Sequence, residues 1–161
     1  VHTVWIDVVV ARGDERVSDD VGRSFDWIGG VLAAAVRSGG VEVAVHRGAG
    51  TWDRLGRLVC FAGVGPGESL DPQGRKVVGL SQRRTREQVR FQTVAYRQVP
   101  VEATLAALRD DEFPGDQFPG GRAAAAAELA RRTAPLGTDR TVPWWQHHVA
   151  DALTQASAVT T

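Results

Sequence analysis

The chain has 161 residues, 43% of them apolar, enough to bury the core of one domain and too many for a disordered segment. Its 19 basic and 19 acidic residues balance to a formal net charge of zero, so no bulk field draws it toward nucleic acid or an anionic membrane. One cysteine excludes an internal disulfide and a cysteine-cluster zinc site, and no apolar run nears the length of a membrane span.

In chain order, Val4 to Val10 is β-branched and apolar and predicts a strand buried on both faces. Ser18-Asp19-Asp20 offers a helix N-cap, after which Val21, Phe25, Ile28, Leu32 and Val36 recur at helical spacing up to Gly39-Gly40. Val41 to His46 predicts a second strand, Arg47 to Arg57 a loop, and Leu58 to Ala62 a short strand running into the glycine loop Gly63 to Gly67. Lys76–Gln82 and Val89–Tyr96 read as an antiparallel hairpin. Helices follow over 102–108, 122–132 and 143–156, with Asp110 to Gly121 as a linker containing Pro114 and Pro119. The expected class is α+β: a mixed, largely antiparallel sheet with a packed helix and a helical C-terminal tail. Val1 to Val10 lacks the charged lead of a secretory signal, and a reducing cytoplasm is the expected compartment. The chain contains no methionine, and it is expected to be the C-terminal part of a longer domain.

Lys76 is the only lysine, against 18 arginines. Where arginine supplies generic positive charge, a surviving lysine points to a task for a compact ammonium that a planar guanidinium cannot do. It follows the turn glycine Gly74 and Arg75 and opens an apolar strand that closes in Ser81-Gln82-Arg83-Arg84. Cys60 has two readings, a small buried hydrophobe among Leu58, Val59 and Phe61, or a thiol nucleophile whose neighbouring loop amides approach an acyl oxygen or a phosphate. The glycine loop is followed by no helix, so it supports neither a dinucleotide fingerprint nor a P-loop. Arg83, Arg84, Arg86 and Arg90 are either a phosphate or acidic-partner grip or a solvated hairpin turn. Adjacent His147 and His148 point about 100° apart on a helix and read as structural rather than as joint metal ligands. No metal site is expected.

The run Val59-Cys60-Phe61, then Gly74-Arg75-Lys76-Val77-Val78-Gly79 and Ser81-Gln82-Arg83-Arg84, resembles the lipoate–protein ligase and octanoyltransferase family, which shares the catalytic domain of the biotin/lipoate ligases. The opening Asp19-Asp20-Val21-Gly22-Arg23-Ser24-Phe25 is similar to actinobacterial members. In the family pattern the lysine contacts the acyl carbonyl and, in ligases, the phosphate of an acyl-adenylate, and Lys76 falls on it. In the cysteine-dependent branch a Cys-Phe pair supplies the nucleophile, which Cys60-Phe61 matches. Three departures stand out: Ser81 replaces an alanine, Gln92-Thr93-Val94 replaces Gln-His-Gly, and an upstream Arg-Arg-x-x-Gly-Gly segment has no counterpart.

The resemblance implies a partial catalytic domain over 1–110 and a helical extension over 111–161. It implies attachment of a lipoyl or octanoyl group to a lysine of a lipoyl-acceptor domain, with Lys76 and Cys60 catalytic and Gly74, Arg75, Gly79, Ser81, Gln82 and Gln92 lining the substrate. Lipoate or octanoate would be substrate, with ATP and magnesium if the enzyme is a ligase and no tightly bound cofactor. The partners would be the glycine-cleavage H protein or a 2-oxoacid dehydrogenase lipoyl domain, with acyl carrier protein as donor in the transferase version. A non-catalytic relative that only binds such partners is the alternative.

Overall fold

Alternating apolar residues along three nine-residue segments build the centre of the molecule. In the computed structural model, which describes residues 2–113 and 118–158, these are β1 (Thr3–Ala11), β4 (Lys76–Arg84) and β5 (Gln88–Tyr96). Two-residue strands β2 (Ala44–Val45) and β3 (Ser69–Leu70) complete a five-stranded, wholly antiparallel sheet of order β1-β5-β4-β3-β2. The α+β architecture is the expected one. The β4–β5 hairpin turns at Thr85, whose hydroxyl accepts from the Glu87 and Gln88 amides and donates to the Gln88 carbonyl.

The period-two pattern divides the sheet into two faces. On one, Val4, Val78, Phe91 and Ala95 pack against α1 (Phe25–Ser38) and α5 (Val142–Ala158), through Ile28, Leu32, Val36, Trp145 and Val149. On the other, Val94 and Tyr96 meet a second apolar layer from α2 (Arg54–Leu58), the 3-10 turn Cys60–Ala62, α3 (Val101–Ala106) and α4 (Gly121–Arg132). The helices after the hairpin therefore cover both faces. The segment leaving α4 runs beside the start of β4, where the Ala134 amide donates to the Lys76 carbonyl at 2.8 Å.

Four sequence expectations change. β1 is an edge strand paired only with β5, and Trp5 and Val9 are 50% and 52% exposed, so one face of it is open. The first helix begins four residues later than its periodicity implies. The Asp20 carboxylate is spent on a turn, accepting from the Gly22 and Arg23 amides, and Val21 swings out to 54% exposure. The strand over 41–46 shrinks to two residues because Val41 closes the end of α1, its amide donating to the Val36 carbonyl, and Arg37 holds the Val43 carbonyl. The apolar run 58–62 is helical rather than extended: Asp53 caps α2 through the Gly56 amide, and Leu55 and Val59 bury one helical face. Of the expected 110–121 linker, residues 114–117 lie outside the described residues, and Asp110–Glu112 forms one 3-10 turn.

Candidate functional site

Lys76 is not a surface lysine. It is 1% exposed, because β3 lies on one side of its backbone and the chain after α4 on the other. An ammonium so buried needs an anion and hydrogen-bond acceptors. Its Nζ lies 2.7 Å from Glu68 Oε2, donates to the Cys60 carbonyl at 3.2 Å, and sits 5.4 Å from the centre of the Phe61 ring.

Glu68 is equally enclosed, at 4% exposure. Its Oε2 also accepts from the Gly65 amide at 2.7 Å and its Oε1 from the Leu80 amide at 3.1 Å. The glycine loop thus cradles an anion, but that anion is the chain's own. Two other amides the Cys60 region might turn outward are also spent: Ala62 donates to the Val59 carbonyl and Gly63 to the Cys60 carbonyl.

The pair forms part of the wall of a cavity of about 380 Å³ between the sheet and the layer of α2, α3 and α4. That lies at the lower end of the roughly 300–1,000 Å³ of small-molecule sites. Leu58, Phe61, Val94, Tyr96, Leu108 and Leu129 make most of the wall apolar. Ser81, Gln92 and Thr104 supply uncharged polar groups, and Trp5 stands half-exposed at the β1 side. Gly79 lines the cavity by necessity, since a Cβ there would come within 3.1 Å of the Phe61 ring and 3.2 Å of Val94 Cγ1. Phe61 and Tyr96 meet edge to face with centroids 5.0 Å apart. Burial pushes the Tyr96 hydroxyl above its usual range, so it stays neutral.

Of the residues singled out by sequence, Lys76, Cys60, Gly79, Ser81 and Gln92 converge on this cavity. Ser81 and Gln92 do so as directly opposed residues of β4 and β5. Cys60 is among the residues that line it and is exposed, so the buried-hydrophobe alternative fails. Three others lie elsewhere. Gly74 makes the tight turn before β4 with φ +77°, and Arg75 pairs with Asp71 at 2.7 Å. Gln82 faces the other side of the sheet, where its amide donates to the Val21 carbonyl at 2.6 Å and its oxygen accepts from Arg84.

The arginine quartet does not form one grip. Arg84 reaches the Ser24 hydroxyl and the Asp19 and Asp20 carbonyls, Arg90 pairs with Asp7 at 3.7 Å, and Arg83 shares a small surface hollow with Arg90. His147 binds the Pro143 carbonyl, and His148 stacks on Trp144 beside Ser38, so both serve the fold. Among the described residues no group of three or more His, Cys, Asp or Glu side chains is placed to hold a metal ion. No helix among them is long and apolar enough to cross a membrane.

Sequence reasoning missed Glu68, Tyr96, Thr104 of α3 and Leu108 just beyond its end. For Glu68 a signal existed: Asp71-Pro72-Gln73-Gly74 is a turn that folds 68–70 back against the start of β4. Outside the cavity, Arg132 forms a fork with both oxygens of Asp53, at 2.9 and 2.6 Å, and its Nε reaches Glu128 at 2.6 Å. This ties α4 to the cap of α2 and draws the Asp53 carboxyl down to about 2.

No protein-family model matches the chain, and no curated protein matches it. Two solved structures do. One is a bi-partite lipoate protein ligase from Thermoplasma acidophilum, described with its E2 lipoyl domain; the TM-score is 0.70 at 12% identity, over 98% of this chain and 52% of that one. The other, a candidate lipoate protein ligase from the same organism with bound lipoic acid, gives a TM-score of 0.63 at 9% identity, over 98% of this chain and 53% of that one. The chain spans about half the length of the structures it matches, and across that half it has the fold of the lipoate protein ligases.

Proposed function

We propose that the chain works in protein lipoylation, holding an octanoyl or lipoyl group in the cavity beside Lys76 and passing it to a lysine of a lipoyl domain. The observation that carries this reading is the convergence of the only lysine and the only cysteine on one apolar cavity, within a fold shared with lipoate protein ligases. An eight-carbon chain suits apolar walls, and the reactive carbonyl suits the end where a buried ammonium stands.

In the transferase reading, the Cys60 sulfur attacks the carbonyl carbon of an acyl thioester on a carrier protein. A sulfur–carbon bond forms, the carrier's sulfur–carbon bond breaks, and the Cys60 proton leaves with the carrier thiol. The acceptor lysine amine then attacks the same carbon, the amide bond forms, and Cys60 regains a proton as it departs. Lys76 steadies the negative charge that develops on the carbonyl oxygen in each step, the kind of contribution that often dominates enzymatic rates. The acceptor would be a lipoyl domain of a 2-oxoacid dehydrogenase or the glycine-cleavage H protein.

An ATP-dependent ligase finds less support. Among the described residues Glu68 is the only carboxylate lining the cavity, and Lys76 and two backbone amides already occupy most of its acceptor sites, so the cavity offers no pair of free carboxylates to hold magnesium. Intact-mass spectrometry after incubation with octanoyl-acyl carrier protein tests the proposal. The expected result is a hydroxylamine-labile octanoyl adduct that is absent in Cys60→Ser. No adduct on folded protein, with octanoylation only in the presence of ATP, would establish the ligase instead. Binding of carrier or lipoyl domain with no transfer from any donor would establish the non-catalytic alternative.

A further inference from the structure

We propose that Glu68 selects the charge of the acyl compound this cavity accepts: it admits uncharged derivatives such as thioesters and amides and turns away free carboxylates and acyl phosphates. The inference rests on the acyl reading of the cavity and goes beyond it by naming the head group and the residue that chooses it.

Among the described residues the Lys76 ammonium is the cavity's only cation and Glu68 its only anion, and they lie 2.7 Å apart with almost no exposure. The wall they form is therefore electrically neutral. An entering carboxylate would meet the Glu68 carboxylate across the same ammonium, in a site where low polarity magnifies the repulsion between like charges. The backbone seat for an anion is occupied as well, since Gly65 and Leu80 already donate to Glu68. A carbonyl oxygen of an ester, thioester or amide asks for less. An ammonium has three donors. Glu68 and the Cys60 carbonyl take two, which leaves one for a neutral acceptor.

Glu68 acts here through Lys76, as a positioning and charge-balancing residue, so the test must read charge preference rather than activity. Octanamide and octanoate share a chain and nearly a shape, and differ in charge at pH 7.5. Isothermal titration of the full chain should show octanamide binding at least about tenfold tighter, the lower end of what a close like charge does to an ionic equilibrium. In Glu68→Gln the ammonium loses its counter-ion, and the preference should shrink by about tenfold or reverse, chiefly through tighter octanoate binding. A structural role for Glu68 would weaken both ligands together and leave their ratio unchanged, which overturns the proposal. So does a wild-type ratio of one or below, which decides the matter even if Glu68→Gln does not fold. Failure of both ligands to bind the wild type removes the acyl reading itself, a result distinct from equal binding of the two.

Discussion

Replacing Lys76 by methionine should be among the most destabilising single changes in this chain. Methionine nearly matches the lysine stem in volume, so little cavity is created. What changes is the electrostatics: the Glu68 carboxylate, 4% exposed, keeps only the Gly65 and Leu80 amides. Breaking a buried pair from one side costs about 3–5 kcal/mol, a large part of the ~5–15 kcal/mol that holds a domain folded. At ~2–4 °C per kcal/mol for this size the thermal midpoint should fall by about 6–20 °C. Adding Glu68→Gln should recover stability. The buried charge disappears, and the remaining fault is one backbone amide facing the Gln nitrogen, worth about 1–3 kcal/mol. The pair is thus strongly coupled, and a double-mutant cycle followed by urea denaturation with circular dichroism detection measures the coupling. The reasoning is refuted if Lys76→Met costs less than about 1 kcal/mol, the scale of an exposed ion pair, or if the double variant is no more stable than Lys76→Met alone.

Adjacent glycines in α1 should respond to alanine with opposite signs. At Gly30 an added Cβ would have nothing within 4 Å, and the change should gain about 0.5–1 kcal/mol from helix propensity. At Gly29 the added Cβ would stand 2.4 Å from the Gly67 carbonyl oxygen and should cost a net of about 1–3 kcal/mol. Chemical denaturation of both variants checks this, and two changes of the same sign would contradict it. Asp53 is held near pKa 2, mainly by Arg132, against 3.8 for an unconstrained carboxyl. A depressed folded value means this contribution is complete above pH 3.8 and lost as pH falls toward 2; Asp53→Asn, which can still cap α2, should therefore narrow its stability gap to wild type between pH 5 and pH 2.5 in urea titrations. Gly79→Ala should push the Phe61 ring toward the cavity and weaken octanamide by about 1 kcal/mol, roughly fivefold, with the far-ultraviolet spectrum unchanged.

What could be read from sequence divides along the range of the interaction responsible. β4, β5 and the antiparallel hairpin were legible because their alternation and the polar turn at Thr85 are local properties. The C-terminal helices were legible to within one or two residues at each end for the same reason. The failures are competitions that a periodicity cannot show. Asp20 could cap a helix or close a turn, and the turn won, delaying α1 to Phe25. The length of the run 58–62 pointed to a strand, and the decision against it lay upstream at Asp53, with its cap to Gly56 and its fork to Arg132.

The same distinction governs the site. Lys76 stood out by rarity, which is a property of composition, whereas Gly79, Ser81 and Gln92 were named through the family resemblance, and the hairpin register sets Gly79 and Ser81 of β4 opposite Val94 and Gln92 of β5. Gln82 fell to the other face by that same period, and the register alone places it there. Glu68 was hidden because a sequence shows it only as one of 19 acidic residues. Its importance comes from where the Asp71–Gly74 turn delivers it, beneath a loop whose Gly65 amide donates to its carboxylate and beside the one ammonium side chain in the sequence. A lone lysine therefore poses a question that its own segment does not answer: which anion accompanies it into the interior. In this fold the answer arrives from the residue that leads into the preceding strand β3, and the cavity's charge follows from the pair rather than from the lysine.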